Sequence, residues 1–147
     1  MALPKQLPWY DIGNPTVRRL PPEELRALQL ERLQNMVEYV YHSSPFWRRK
    51  LEAAKVTPEQ IKTLDDVRRL PFTTRDELLA DQEEHPPFGS YVCSHPSTWY
   101  RVFATSGTTG RPLKRVLSFR DGELSVRAGV RYGTPSASER TYLGREV

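Results

Sequence analysis

The sequence predicts an α+β fold in which an amino-terminal helical segment is followed by a β-strand, a Gly-Ser-Thr loop and a second β-strand. Three observations carry this. Leu25, Leu30, Leu33, Met36, Val37, Val40 and Tyr41 recur at helical spacing and make one wide apolar stripe. Downstream, Thr57-Pro58-Glu59-Gln60 and Thr74-Arg75-Asp76-Glu77 have the spacing of capping boxes, in which a Thr hydroxyl and an acid or amide three residues later satisfy each other's backbone donors. Finally, Thr98–Phe103 and Leu113–Phe119 are rich in β-formers and flank a run of small and hydroxylated residues.

Taken in order, residues 1–21 carry prolines at 4, 8, 15 and 21 and read as an extended Pro-rich arm. Glu23 and Glu24 suit the positive end of a helix dipole and place a helix start at Pro22, with the stripe running to about His42. His42 then falls where a cation complements the negative helix end. Ser44-Pro45 opens a second helix, with proline at its first position. On that helix Phe46, Trp47, Leu51 and Ala54 share one face, with Arg48, Arg49, Glu52 and Lys55 on the other. Short helices are expected from Thr57, Thr63-Leu64-Asp65-Asp66 and Thr74, making residues 22–82 a train of helices. Residues 83–97, with His85, Pro86, Pro87, Gly89 and Pro96, form a loop, and the strand, loop and strand occupy 98–119.

The chain has 147 residues, enough for one modest core, and a net charge of +4 from 22 basic and 18 acidic residues without a long basic block. Phe46-Trp47-Arg48-Arg49-Lys50 interleaves aromatic and basic side chains as single-strand binders do. Its helical arrangement instead separates a core stripe from a solvated back, and nucleic acid is not an expected partner. No apolar run approaches the roughly 18 residues a membrane span needs, so no membrane partner is expected. The first twenty residues lack a signal-peptide core, and the single Cys93 excludes an intrachain disulfide. The expected location is the cytoplasm. Cys93, His95 and His85 have irregular spacing and no C-x-x-C pair, which falls short of a zinc signature, and no metal site is assigned.

The chemistry concentrates in Thr105-Ser106-Gly107-Thr108-Thr109-Gly110, four hydroxyls and two glycines in six consecutive positions. Glycines let backbone N–H groups approach an anion closely, and the hydroxyls add donors. The run is not a Walker P-loop: only two residues separate Gly107 from Gly110, and Arg111-Pro112 follows in place of Lys-Ser/Thr. Two readings fit these residues alone, a triphosphate cradle and an ordinary Ser/Thr/Gly hairpin loop.

Thr105 to Pro112 resembles the phosphate-binding signature of the adenylate-forming superfamily. The order Tyr39-Val40-Tyr41-His42-Ser43-Ser44-Pro45-Phe46-Trp47, then Leu70-Pro71-Phe72-Thr73-Thr74-Arg75-Asp76-Glu77-Leu78, then Pro87-Phe88-Gly89 is similar to the amino-terminal portion of the phenylacetate-CoA ligase branch. The resemblance runs from about residue 7 to about residue 121 and makes the fold part of an incomplete adenylate-forming large domain. It implies ATP-dependent activation of an aryl carboxylate to an acyl-adenylate, followed by thioester formation with coenzyme A. Thr105, Ser106, Gly107, Thr108, Thr109, Gly110 and Lys114 are the phosphate-binding candidates it implies, with Thr105 shaping the start of the loop. Many superfamily members carry Lys directly after the loop proline, whereas here Leu113 intervenes before Lys114. The implied cofactors are ATP, Mg2+ and coenzyme A. The adenine and aryl pocket, the ribose-binding carboxylate and the catalytic lysine of such enzymes lie beyond Val147, so no catalytic residue is expected in this chain, and its binding of ATP phosphates is expected to be weak.

In the resembled family an aspartate near the position of Asp121 begins a long helix. Here the similarity stops at about that point, and residues 122–147 are expected to form a divergent, disordered tail, with a weak amphipathic helix over Glu123–Tyr132 as the local alternative. Two functional classes stay open: a ligase fragment, including one from a deazaflavin-cofactor adenylating synthetase, and a non-catalytic helical interaction or regulatory module derived from such a ligase. Either leaves strand faces uncovered, so self-association is expected.

Overall fold

A computed structural model describes residues 20–105 and 111–132, with side chains described as far as Ser125. Most of the arm expected over 1–21, the loop residues Ser106–Gly110 and residues 133–147 lie outside the described residues.

Helix α1 spans Pro22–Ser43, with proline in its first turn beside Glu23 and Glu24. Ser44 ends it and begins the next: its backbone is extended, its N–H donates to the Val40 carbonyl at 3.1 Å, and its hydroxyl accepts from Trp47 N–H at 3.3 Å. Helix α2 follows at Pro45–Ala53. As expected, Phe46 and Leu51 are buried and Arg48 and Arg49 face water; Ala54 is exposed instead, because the helix has already ended. The stripe on α1 is also narrower than its sequence: Val37 is buried, whereas Met36 is 41% exposed.

Two short 3-10 turns, Pro58–Gln60 and Leu64–Arg69, occupy the next segment. Asp66 holds the second, its carboxylate accepting from Thr63 N–H at 2.8 Å and from the Thr63 hydroxyl at 2.9 Å. These bonds favour the charged form and keep the Asp66 carboxyl below the usual carboxylate range. Val37, Leu51, Val56 and Ile61 form the core here, with Leu33, Val40, Tyr41 and Leu70 packed around it. Helix α3, Arg75–Glu84, starts with the capping box expected from Thr74: Glu77 accepts from Thr74 N–H at 2.6 Å, and the Thr74 hydroxyl accepts from Glu77 N–H at 3.3 Å.

The expected strand–loop–strand is an antiparallel hairpin, β1 at Trp99–Ala104 and β2 at Lys114–Ser118, with Ala104 opposite Lys114, Val102 opposite Val116 and an irregularity between Trp99 and Arg101. Helix α4 then runs over Phe119–Tyr132. It crosses the boundary drawn at residue 121 and takes in the Glu123–Tyr132 segment for which a helix is the local alternative to disorder. A capping box at Ser118 accounts for its start: Asp121 accepts from Ser118 N–H at 2.8 Å, and the Ser118 hydroxyl accepts from Asp121 N–H at 3.2 Å. The Tyr100 ring stacks on Phe119 with centroids 5.2 Å apart and lies against Gly122, where a Cβ would come within 2.5 Å of the phenol oxygen.

Candidate phosphate-loop mount

The hairpin presents the Gly-Ser-Thr loop between Thr105 and Arg111, and both limbs are held. Across the mouth, Thr105 N–H donates to the Leu113 carbonyl at 3.0 Å, and Leu113 N–H donates to the Thr105 hydroxyl, also at 3.0 Å. Thr105 therefore meets Leu113 through both its backbone N–H and its hydroxyl. Leu113, the residue intervening before Lys114, is buried at 7% exposure and anchors the returning limb.

Helix α3 grips that limb. Arg75 donates to the Arg111 carbonyl at 2.8 Å, Gln82 Nε2 donates to the Pro112 carbonyl at 3.4 Å, and Gln82 Oε1 accepts from Lys114 N–H at 2.8 Å. The Arg111 guanidinium pairs with Glu83 at 2.9 Å, which directs one loop cation toward α3. Tyr91 donates its phenol proton to the Lys114 carbonyl at 2.7 Å. Burial, with the Asp81 charge adding to it, raises the Tyr91 pKa, so the phenol remains a donor through neutral pH.

The segment bearing Tyr91 is seated by the helices. Asp81, 4% exposed, accepts from Ser90 N–H at 2.6 Å, from the Ser90 hydroxyl at 2.7 Å and from Arg49 at 3.1 Å. The buried Ser44 hydroxyl donates to the Ser90 carbonyl at 2.8 Å, and the Trp47 indole donates to the Tyr91 carbonyl at 3.1 Å. Gly89 makes this turn with φ +82°, and a Cβ there would lie 2.3 Å from the Tyr91 ring. Arg49 and Trp47, from the aromatic and basic run, thus serve internal structure.

His85, Cys93 and His95 turn to separate partners. His85 Nδ1 lies 3.3 Å from the Asp81 carbonyl oxygen, His95 Nδ1 meets the Ser97 hydroxyl at 2.8 Å, and the Cys93 thiol reaches the Tyr91 carbonyl at 3.6 Å. Burial pushes the Cys93 thiol up to about 11, so that it is protonated at neutral pH. Among the described residues no group of three His, Cys, Asp or Glu is arranged to hold a metal ion. His42 lies 3.7 Å from Glu38, one turn back on α1. No described helix is long and apolar enough to cross a membrane.

Of the predicted phosphate-binding residues, Thr105 and Lys114 are brought to the two limbs of one loop; Ser106, Gly107, Thr108, Thr109 and Gly110 lie outside the described residues. Arg75, Gln82 and Tyr91 were not singled out from the sequence. Their partners lie 23 to 36 residues away, and no local pattern encodes such pairing.

No family model matches the sequence. The chain is 42% identical over 117 residues to a phenylacetate-coenzyme A ligase of Thermus thermophilus, covering 80% of this chain and 25% of that protein. It is 37% identical over 108 residues to the corresponding ligase of Escherichia coli, covering 74% of this chain and 23% of the relative. Among solved structures, 2-hydroxyisobutyryl-CoA ligase in complex with 2-HIB-AMP and CoA in the thioesterification state superposes with a TM-score of 0.72 at 34% identity, over 88% of this chain and 27% of that one. An open conformation of the same ligase gives a TM-score of 0.70 at 35% identity, over 76% of this chain and 24% of that one. The chain thus spans about a quarter of the length of the curated relatives it matches. By sequence and by fold it belongs to the phenylacetate-CoA ligase family of adenylate-forming ligases.

Proposed function

We propose that this chain supplies the ATP phosphate-binding loop of a phenylacetate-CoA ligase-type reaction and that, by itself, it does not turn over. The observation that supports this most is the Thr105–Leu113 clasp, gripped by Arg75 and Gln82, on a scaffold shared with a ligase that binds an acyl-adenylate and CoA. Backbone N–H groups of Gly107–Gly110 and the hydroxyls of Ser106, Thr108 and Thr109 are the donors for the β- and γ-phosphates, and Lys114 adds charge from the returning limb. Since the described residues offer no carboxylate cluster, Mg2+ would arrive on the triphosphate and neutralise charge on the leaving pyrophosphate. A loop that positions one end of ATP without an acyl pocket leaves the carboxylate unplaced, which removes the orientation part of catalysis.

Calorimetry with ATP-Mg and pyrophosphate exchange driven by phenylacetate test the two halves. Weak ATP binding is expected, abolished by Gly107→Val, which blocks close backbone approach, and reduced less by Lys114→Ala, which removes a screened charge. Equal binding by the native chain and Gly107→Val overturns the loop as the site; clear exchange overturns the inactivity of the chain alone. A second reading, a non-catalytic interaction module, is favoured by the exposure of Val102 and Phe103 on β1 and of Phe119 at the start of α4.

A further inference from the structure

The two limbs of the hairpin are closed by different means, and this assigns a role to Gln82. Thr105 and Leu113 direct their bonding groups at each other, so by the alternation of an antiparallel ladder Pro112 and Lys114 direct theirs to the opposite edge of the returning limb. An edge of this kind ordinarily pairs with a further strand or with water. Here the Gln82 carboxamide meets it with acceptor and donor together, taking the Lys114 N–H at 2.8 Å and giving its own N–H to the Pro112 carbonyl at 3.4 Å. Tyr91 completes the set at the Lys114 carbonyl.

We propose that Gln82 is a positioning residue for the phosphate-binding loop: its side chain takes the place of a neighbouring strand and fixes the limb from which Lys114 projects. The inference rests on the reading of residues 105–110 as a phosphate site. It predicts that the carboxamide, and not merely the volume, of residue 82 sets both the protection of the Lys114 amide and the affinity for ATP.

The experiment uses the full chain with Gln82→Met, which keeps length and apolar volume, and Gln82→Glu, which keeps the acceptor. Amide hydrogen exchange is read at Lys114 and, as an internal control for folding, at Val37 and Ile61; ATP-Mg binding is read by calorimetry. Gln82→Met is expected to speed exchange at Lys114 by about tenfold, with Val37 and Ile61 unchanged, and to weaken ATP-Mg about fivefold, the range set by one lost hydrogen bond. Gln82→Glu is expected to keep Lys114 protected. Unchanged Lys114 exchange in a folded Gln82→Met chain overturns the strand-substitute role, and so does loss of protection in Gln82→Glu, which decides the matter if Gln82→Met does not fold. Faster exchange with unchanged ATP affinity overturns the positioning role. A native chain that shows the exchange pattern but binds no ATP overturns the phosphate-site reading while leaving Gln82 as the clip of this limb.

Discussion

Thr105 and Leu113 close the loop mouth with two hydrogen bonds of 3.0 Å, one of them through the Thr105 side chain. The acceptor for Leu113 N–H is a hydroxyl, so the mouth is closed by a residue type as well as by the ladder. Thr105→Val is nearly isosteric and leaves that N–H without its acceptor. A loss of about 1 kcal/mol is expected, with Thr105→Ser close to the native chain. Urea denaturation midpoints of the three proteins check this; equal midpoints for native and Thr105→Val would show that the clasp contributes nothing.

Gly89 is the second position where chemistry is fixed by backbone. Its φ of +82° is strained for any L side chain, and a Cβ meets the Tyr91 ring at 2.3 Å and the Asp81 carboxylate at 2.9 Å. Those are the groups that carry Ser90 and, through the phenol, the Lys114 carbonyl. Gly89→Ala is therefore expected to destabilise by more than about 1 kcal/mol and to disturb the hairpin as well as the turn. Denaturation together with exchange at Lys114 reads both effects, and a neutral substitution would remove Gly89 from the account.

The Thr74 and Ser44 starts, the two-faced α2 and the hairpin were all legible, because each rests on residues within a turn of one another or on simple alternation. The same local signal was present at Ser118-Phe119-Arg120-Asp121 and would have started α4 before the boundary drawn at residue 121. What the sequence did not reveal is the mount. Gln82 to Lys114 and Arg75 to Arg111 are pairings between a helix and a hairpin, set by how the elements pack and invisible to periodicity. Met36 marks the opposite limit: an apolar residue at the right spacing stays 41% exposed because no described element covers that part of α1.

The Lys50–Glu77 pair ties α2 to the capping box of α3 and gives a pH prediction. Glu77 is lowered from 4.5 to about 2, first by the hydrogen bond from Lys50 and then by that from Thr74 N–H. A depressed folded-state pKa means that the unfolded chain binds the proton more readily. The stabilisation is therefore complete above about pH 4.5 and is lost as pH falls toward about 2. Glu77→Gln should flatten the stability profile between those limits while leaving its shape at neutral pH unchanged. Denaturation at stepped pH measures it, and parallel profiles for the two proteins would show that Glu77 is not the titrating group.

The outer edge of β2 is capped at Lys114 by Gln82 and Tyr91 and at Ser118 by Asp121, whereas β1 has no such cover among the described residues. Ladder alternation turns the N–H and C=O groups of Val102 and Ala104 to its free edge, and Val102 and Phe103 are 49% and 44% exposed. Arg101, stacked over the Tyr100 and Phe103 rings, is the only charge on the strand. An edge with one charge and exposed apolar side chains pairs readily with another strand. The chain by itself is therefore expected to self-associate with rising concentration, and Val102→Lys, which puts a second cation on that edge, should shift it toward monomer while changing stability by no more than about 0.5 kcal/mol. Light scattering over a concentration series decides it: a native chain that stays a monodisperse monomer throughout would mean that residues outside those described, or solvent alone, suffice to satisfy the β1 edge.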